Sequence, residues 1–429
     1  MRTIQYMLIF FCLSTNVLYS DHLFDKMESL TFNPVGSGAR ALSMGAFIGI
    51  ADDATAASWN PGRLINLKRP EISFVADVSL WRENNTIEQN TFAEFTSRMS
   101  ENNLNYFSLT TPLEIMDRNI VVSMNYQHLY NFKRDQLMRF SEIVKNDALD
   151  QVSQDGKLSA IGFALCFQLR PDLSFGITLN FWKDWLSTNG WEQTIRTRRP
   201  ILMEPIQFMT DSSIFHKYDF SGFNMNIGIS WDMTDQFTCG FVLKTPFTAD
   251  LKHTTVFTQF LPNYSQSPQN VYSEKLDMPL SCGVGVAYRF SDNWSLSADL
   301  YMTDWSNFIL TDPNGEHYSF ISGEKEELSN VQATYQIRFG SEYLIINKRK
   351  ETIIPIRAGI FYDPMPSDGS PDNFYGFSMG TGISTGPYVF DIAYQYRLGV
   401  NVGESKLKRF GFSQDVQEFR GYGSFIFHF

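Results

Sequence analysis

Six charged residues in the later part of the chain, Asp299, Arg338, Glu342, Arg357, Asp391 and Arg397, fall on one phase of an alternating pattern. Guanidiniums on such a face have two uses. Each can grip a carboxylate through a bidentate contact, which makes Arg338, Arg357 and Arg397 candidates for binding the acidic head group of a ligand. The same side chains can instead neutralise one another as an ion-pair network in a crowded interior. Catalytic chemistry finds little footing. A hydrolase needs a nucleophile beside a base, and His22, His128, His216, His253, His317 and His428 sit in no recognisable catalytic motif. His128 shares the apolar face of its segment, which suits an interfacial residue better than a catalyst. Cys166, Cys239 and Cys282 lie far apart on strand-like segments, lack metal-ligand spacing and are expected to be free thiols, with Cys166 facing inward and the other two facing lipid. Asp363, Asp368 and Asp372 lack the fixed spacing of a calcium loop, and Gly380 and Gly382 do not precede a helix as a phosphate-binding loop would. No enzyme activity, metal or cofactor is expected. The net charge of −11 also argues against nucleic-acid binding, which favours clustered Lys and Arg.

Two connecting segments are unusually apolar. One carries Ile201, Leu202, Met203, Ile206, Phe208, Met209, Ile214 and Phe215; the other carries Val256, Phe257, Phe260 and Leu261. Exposed apolar patches mark interaction sites, so a hydrophobic capture groove between two loops is expected, lined by Phe208, Met209, Ile214, Phe215, Val256, Phe257, Phe260 and Leu261. The competing expectation is that the two loops simply pack on each other.

The elements that must position these residues are strands. After about fifty mature residues, side-chain polarity alternates with period two, the mark of a strand with two different faces. From 119 to 132, Ile120, Val122, Met124, Tyr126, Tyr130 and Phe132 oppose Ser123, Asn125, Gln127 and Asn131. In the second-to-last strand Tyr388, Phe390, Ile392, Tyr394, Tyr396 and Leu398 oppose Asp391, Gln395 and Arg397. Reading on predicts strands near 71–81, 103–111, 119–132, 157–170, 172–186, 218–231, 235–247, 277–290, 293–308, 329–344, 353–363, 374–386, 387–398 and 419–429. That is about 14 strands, joined alternately by short turns and by long loops such as 187–217 and 248–276, the pattern of an outer-membrane barrel. The apolar piece from Leu251 to Phe260 is assigned to a loop to keep that alternation. Trp81, Tyr130, Trp185, Trp231, Trp294 and Tyr362 near strand ends suit the headgroup boundary.

The two ends of the chain agree with this all-β, transmembrane antiparallel barrel. Arg2, the apolar run Ile4–Leu13 and small Ser20 before Asp21 read as an export signal over 1–20; the run is shorter than the roughly 20 residues of a transmembrane helix. Cys12 lacks the small neighbours of a lipid-attachment site. At the other end Phe419, Gly421, Gly423, Phe425, Phe427 and Phe429 form one face of a closing strand, with Arg420, Tyr422, Ser424 and His428 on the other. A barrel must pair its last strand with its first. Phe427 and the terminal Phe429 resemble the signal read by the outer-membrane insertion machinery.

Between the export signal and the first strand the texture changes. The run Gly36-Ser37-Gly38-Ala39-Arg40-Ala41-Leu42-Ser43-Met44-Gly45-Ala46-Phe47 is followed by Ala51-Asp52-Asp53-Ala54 and Ala57-Ser58-Trp59-Asn60-Pro61-Gly62. Small side chains permit close backbone approach, and Asn-Pro-Gly makes a turn. Such a segment, 21–70, can fold inside the lumen of a barrel spanning 71–429. These motifs resemble the FadL-type outer-membrane transporters, whose Ala-Arg-x-x-x-(Met)-Gly and Asp-Asp-Ala…Asn-Pro-Ala stretches form an N-terminal hatch. Met278-Pro279-Leu280, Ala287-Tyr288-Arg289-Phe290, Thr303-Asp304-Trp305-Ser306 and Tyr362-Asp363-Pro364 extend the resemblance along the chain. Gly62 departs from it, standing where the family has Ala.

The resemblance implies a fourteen-stranded barrel with an N-terminal hatch (plug) whose motif residues here are Gly38, Arg40, Gly45, Asp52, Asp53, Asn60, Pro61 and Gly62. It implies passive transport of small hydrophobic molecules across the outer membrane of a Gram-negative-type bacterium. Capture on loops, hatch movement and sideways release into the membrane would be the steps, with long-chain fatty acids the leading substrate and aromatic hydrocarbons next. Outer-membrane lipid and the insertion machinery are the expected partners of a monomer. The rival reading is a non-transporting barrel that docks exported proteins in a secretion system.

Overall fold

The computed structural model describes residues 36–87, 95–115, 118–140, 148–185, 188–203, 206–261, 264–266, 269–405 and 411–429, so the predicted export signal and residues 21–35 lie outside the described residues. In chain order the first strands are β1 (Glu71–Ile87), β2 (Phe95–Ile115), β3 (Arg118–Asn131), β4 (Arg134–Phe140), β5 (Ala148–Arg170), β6 (Leu173–Trp182), β7 (Gly190–Met203) and β8 (Ile206–Asp232). Next come β9 (Phe237–Lys244), β10 (Phe247–Leu261), β11 (Tyr264–Gln266), β12 (Gln269–Met278), β13 (Ser281–Ser291), β14 (Trp294–Thr303), β15 (Ile309–Thr311) and β16 (His317–Ser319). The last are β17 (Thr334–Asn347), β18 (Thr352–Tyr362), β19 (Phe374–Thr385), β20 (Tyr388–Val402) and β21 (Phe412–His428).

Fourteen of them close an antiparallel barrel in the order β1, β2, β3, β5, β6, β8, β9, β13, β14, β17, β18, β19, β20, β21. The ring shuts where β1 pairs with β21, from Glu71 opposite His428 to Ile87 opposite Phe412, so neither terminal strand keeps a free edge. Each of the fourteen segments expected from alternation overlaps one of these wall strands. The faces separate as predicted. On β20, Tyr388, Phe390, Ile392 and Tyr394 are exposed while Asp391, Gln395 and Arg397 are buried. No helix among the described residues is long and apolar enough to cross a membrane; the exposed apolar ring of strand residues is what meets lipid.

Three expectations need correction. First, 187–217 and 248–276 are not loops. β7 pairs with β8 from Gly190 opposite Asp219 to Met203 opposite Ile206, and β10 pairs with both β8 and β12, so the Leu251–Phe260 piece lies within a strand. Alternation runs on through these residues, and pairing satisfies their backbone groups. Bilayer thickness limits only the greasy band, not the strand. Above that band the outer face carries ion pairs, Lys217 with Glu192 at 3.2 Å, Arg198 with Asp211 at 3.4 Å and Lys275 with Asp250 at 3.4 Å.

Second, the strands predicted at 293–308 and 329–344 are shorter. β14 ends at Thr303 and runs into a 3-10 turn over Trp305–Asn307, and β17 begins at Thr334.

Third, β-bulges re-aim side chains that the simple period sends outward. One lies in β3 between His128 and Tyr130, against Ser159 and Leu158 of β5. It turns the run inward: His128 is buried, with its Nε2 3.0 Å from the Tyr130 carbonyl, and the Tyr130 ring packs on Trp182 in the lumen. Another bulge, opposite Val75 and Ala76, leaves Asn105 of β2 unpaired in the ladder. Trp81 also points inward and is buried, whereas Trp185, Trp231 and Trp294 are exposed as expected. The three cysteines are free, with Cys166 buried and the other two partly exposed.

Residues 36–67 form a helix over Ala39–Met44, a single turn over Ala56–Trp59 and a 3-10 helix over Pro61–Asn66. Nearly all of these residues are buried, although no wall strand includes them. Their apolar side chains share a cluster with Val121, Ala164, Val242, Tyr301, Ala393 and Tyr422, contributed by strands all around the ring.

Candidate functional site in the lumen

The N-terminal segment is held through its backbone. Elements this short leave carbonyls without intrahelical partners, and buried carbonyls need donors. Inward-facing polar side chains of the wall supply them. Gln395 donates to the Leu42 carbonyl at 2.9 Å, Ser378 to Ser43 at 2.9 Å, Ser297 to Ala46 at 3.0 Å, Thr178 to Ala57 at 2.9 Å and Ser174 to Gly62 at 2.7 Å. Asp299 reverses the polarity, accepting from the amides of Phe47 at 2.6 Å and Ile48 at 3.0 Å. Asp299 and Gln395 take the inward phase expected from the sequence, which singled out none of Ser174, Thr178, Ser297 and Ser378, though each lies on the inward phase of its strand.

The motif residues fall into distinct roles. Gly45 closes the first helix at φ 75°, a left-handed conformation that favours glycine, and its amide donates to Ala41 at 3.0 Å. Gly38 starts that helix, also at positive φ. Asn60 donates from Nδ2 to the carbonyls of Ile48 at 3.1 Å and Ile229 at 3.0 Å while its Oδ1 accepts from the Gly62 amide, tying two parts of the segment to β8. Pro61 and Gly62 rest on a strip of wall glycines: a Cβ added to Gly176 would stand 2.3 Å from the Pro61 carbonyl group, and one on Gly228 would stand 2.2 Å from Asn60 Oδ1. Asp53 is buried and accepts from the Thr55 amide at 2.9 Å.

Arg40 fastens the segment electrostatically. It reaches Glu342 through two bonds, 3.1 Å from Nε and 2.8 Å from Nη2, and also pairs with Asp52. Glu342 in turn accepts from Arg357 at 2.6 Å, and Arg357 reaches Asp391 at 2.5 Å. A second anchor joins Arg63 to Ser230 at 2.9 Å and Asp232 at 3.1 Å. The three candidate head-group arginines are therefore engaged with carboxylates of the wall. Arg338 lies 3.8 Å from Asp363 and hydrogen-bonds Gln336, and Arg397 lies 3.3 Å from Glu418 while stacking on Phe374 at 4.0 Å. The arrangement is the ion-pair network of the second sequence expectation, extended to include Arg40.

Above the segment the lumen changes character. Trp81, Phe132, Leu158, Trp182, Trp191 and Phe220 belong to one apolar cluster that continues into Trp305, Phe308 and Phe374. Phe132, Trp191, Tyr218 and His253 form a continuous stack with ring spacings of 4.6, 4.6 and 4.1 Å. The expected groove residues join this region only in part. β8 and β10 set Ile214 opposite Phe257 and Phe215 opposite Val256. Ile214 is buried and, with Phe257, shares the inward phase of Trp191 and Phe220, whereas Phe215 and Val256 take the outward phase. The side chains of Phe208, Met209, Phe260 and Leu261 lie outside the described ones.

One polar constellation on this extension carried no sequence signal. His216 Nδ1 lies 2.9 Å from His253 Nε2, and His253 Nδ1 lies 3.0 Å from Glu274 Oε1. Burial, with His253 alongside, pushes the His216 imidazole down to about 4, so it is uncharged at neutral pH. The three residues come from three strands far apart in sequence. At the opposite end of the barrel, Phe427 stacks against Tyr388 at 5.4 Å and Phe429 is exposed beside it at 6.0 Å.

Comparison with known proteins follows this geometry. A model of the outer membrane protein transport protein family (OMPP1/FadL/TodX) matches residues 31–374. The toluene transporter TodX of Pseudomonas putida superposes with a TM-score of 0.59 at 13% identity, covering 93% of this chain and 100% of that one. The toluene transporter TbuX of Ralstonia pickettii gives 0.54 at 12% identity, with 93% and 100% covered. The monoaromatic hydrocarbon channel CymD gives 0.55 at 15% identity, with 93% and 99% covered. No curated protein matches the sequence.

Proposed function

From the premise that this chain belongs to the outer membrane protein transport family (OMPP1/FadL/TodX), we propose that it passes small hydrophobic molecules through the aromatic upper lumen and past the N-terminal segment, which acts as a hatch. The family makes it an outer-membrane transport protein of a Gram-negative-type bacterium and not an enzyme. The observation that carries the proposal is the apolar cluster from Trp81 to Phe374, alongside a buried N-terminal segment packed against strands all around the ring. An apolar solute gains by leaving water for such a lining and again by leaving it for lipid. Passage needs the segment to give way, since Arg40 and Arg63 pin it to the wall on two sides. Sideways release into the bilayer spares the solute a second exposure to water.

Long-chain fatty acids and aromatic hydrocarbons are the two substrate classes to separate. The engagement of Arg338, Arg357 and Arg397 with wall carboxylates favours uncharged solutes, because a fatty acid would have to displace Asp363, Glu342, Asp391 or Glu418 to be gripped. Mass spectrometry of molecules retained by gently extracted protein, paired with uptake of toluene and of oleate into proteoliposomes, tests this. The reading predicts a retained hydrophobic molecule and toluene entry; protein that is folded, empty and impermeable to both solutes sinks it.

A further inference from the structure

A partly open cavity of about 50 Å³ faces the lumen between β1, β2, β3 and β21. Its position is informative. Trp81, Met99 and Leu129 on its lining belong to the upper apolar cluster, whereas Tyr422 belongs to the cluster around the N-terminal segment. The cavity therefore sits at the junction of the aromatic chamber and the segment that a solute must pass.

The rest of its lining is unlike a hydrocarbon site. Asp77, Glu101, Asn103 and Asn105 face it together. Glu101 Oε2 and Asn105 Oδ1 are buried atoms with no hydrogen-bond partner in the protein, and Asn103 Nδ2, which stands beside the Glu101 carboxylate, makes no close bond of its own. Buried polar atoms are ordinarily paired, and leaving one unpaired is costly. Here the wall itself explains the exposure of these groups to the cavity: the bulge opposite Val75 and Ala76 leaves Asn105 out of the ladder and brings odd-numbered residues of β2 onto the inward phase above it. Arg420 is taken up by Glu418, which also holds Arg397. The lining carries three carboxylates, Asp77, Glu101 and Glu418, against the cations Arg420 and Lys133, so the local balance does not welcome an anion.

We propose that this cavity binds the hydroxyl end of an amphiphile, an alcohol or phenol, with its apolar body on Trp81, Met99 and Leu129. The hydroxyl is both donor and acceptor. It donates to Glu101 Oε2 or Asn105 Oδ1 and accepts from Asn103 Nδ2, which satisfies atoms a hydrocarbon would leave bare. A carboxylate would bring a negative charge against Asp77 and Glu101. The inference rests on the transport reading and narrows its substrate class.

The test measures binding of 1-decanol, decanoate and decane to the purified full-length protein in detergent, by displacement of one another under native mass spectrometry. Decanol is expected to bind about tenfold or more tightly than either competitor, and Glu101→Gln and Asn105→Leu are each expected to shrink that margin. Glu101→Gln keeps the shape of the side chain, so it reports even where Asn105→Leu misfolds. Decanoate or decane binding as tightly as decanol overturns the assignment, as does an unchanged preference in folded Glu101→Gln protein. Uptake of the same three compounds into proteoliposomes separates the two claims: if decane enters without any preference for decanol, only the cavity assignment fails, and if none enters, the transport reading fails.

Discussion

Gly62 lies so close to the β8 backbone that a Cβ built on it would stand 2.9 Å from the carbonyl oxygen of Gly228. Real Cβ atoms do not tolerate that distance, so an Ala at this position requires the segment or the strand to move. Gly62, where the resemblance leads one to expect Ala, thus sits at a close approach of the N-terminal segment to the wall backbone.

Filling that contact should loosen the segment. Gly176→Ala and Gly228→Ala each press a methyl into Pro61 or Asn60, and overpacking of this kind costs about 1–3 kcal/mol. Thermal unfolding and protease cleavage within residues 36–67 are the measurements. Gly423→Ala, with nothing within 4 Å of the added Cβ, is the neutral control.

Removing the centre of the buried ion network is expected to be more damaging than removing its edge. Arg357→Ala strands the buried Asp391 and leaves Glu342 to Arg40 alone, a loss of roughly 3–5 kcal/mol. Arg40→Met leaves Glu342 its bond to Arg357, so the barrel should hold while the segment detaches, read as raised conductance in a planar bilayer.

Acid should weaken the extension above the lipid band. His216 is held uncharged by burial and by His253, with its pKa pushed down to about 4 from an ordinary 6.5. The unfolded chain takes up a proton at this site as pH falls below about 6.5, while the folded protein does not until near 4. The stability contribution is therefore complete above about 6.5 and is lost progressively down to about 4. Melting temperature measured across that window should fall, and His216→Gln should flatten the dependence.

Polar substitution in the upper chamber should impair uptake. Phe257→Ser on the inward phase is expected to lower hydrophobic-solute uptake several-fold with normal heat-modifiability, whereas Val256→Ser on the outward phase should not. Trp191→Ala, which removes the ring between Phe132 and Tyr218, should cost stability as well, about 3–5 kcal/mol.

The strand faces, their number and the pairing of the last strand with the first were legible in the chain, because lipid on one side and a polar lumen on the other impose a period of two that any reader of the residues can follow. Phe419 to Phe429 and Tyr388 to Leu398 show it directly. The lumen phase of Arg338, Arg357 and Arg397 was legible too. Their partners were not, since phase says which way a side chain points and nothing about which strand stands across the lumen. Tertiary structure decided that Glu342 takes Arg40 and Arg357 together, that Ser174 and Gln395 answer the carbonyls of a segment over a hundred residues away, and that His216 meets His253 and Glu274. It also decided where the period breaks. A bulge adds one residue to one strand and reverses every side chain beyond it; at His128 that reversal turned an expected lipid face inward, and at Asn105 it set polar side chains on a cavity beside the greasy chamber.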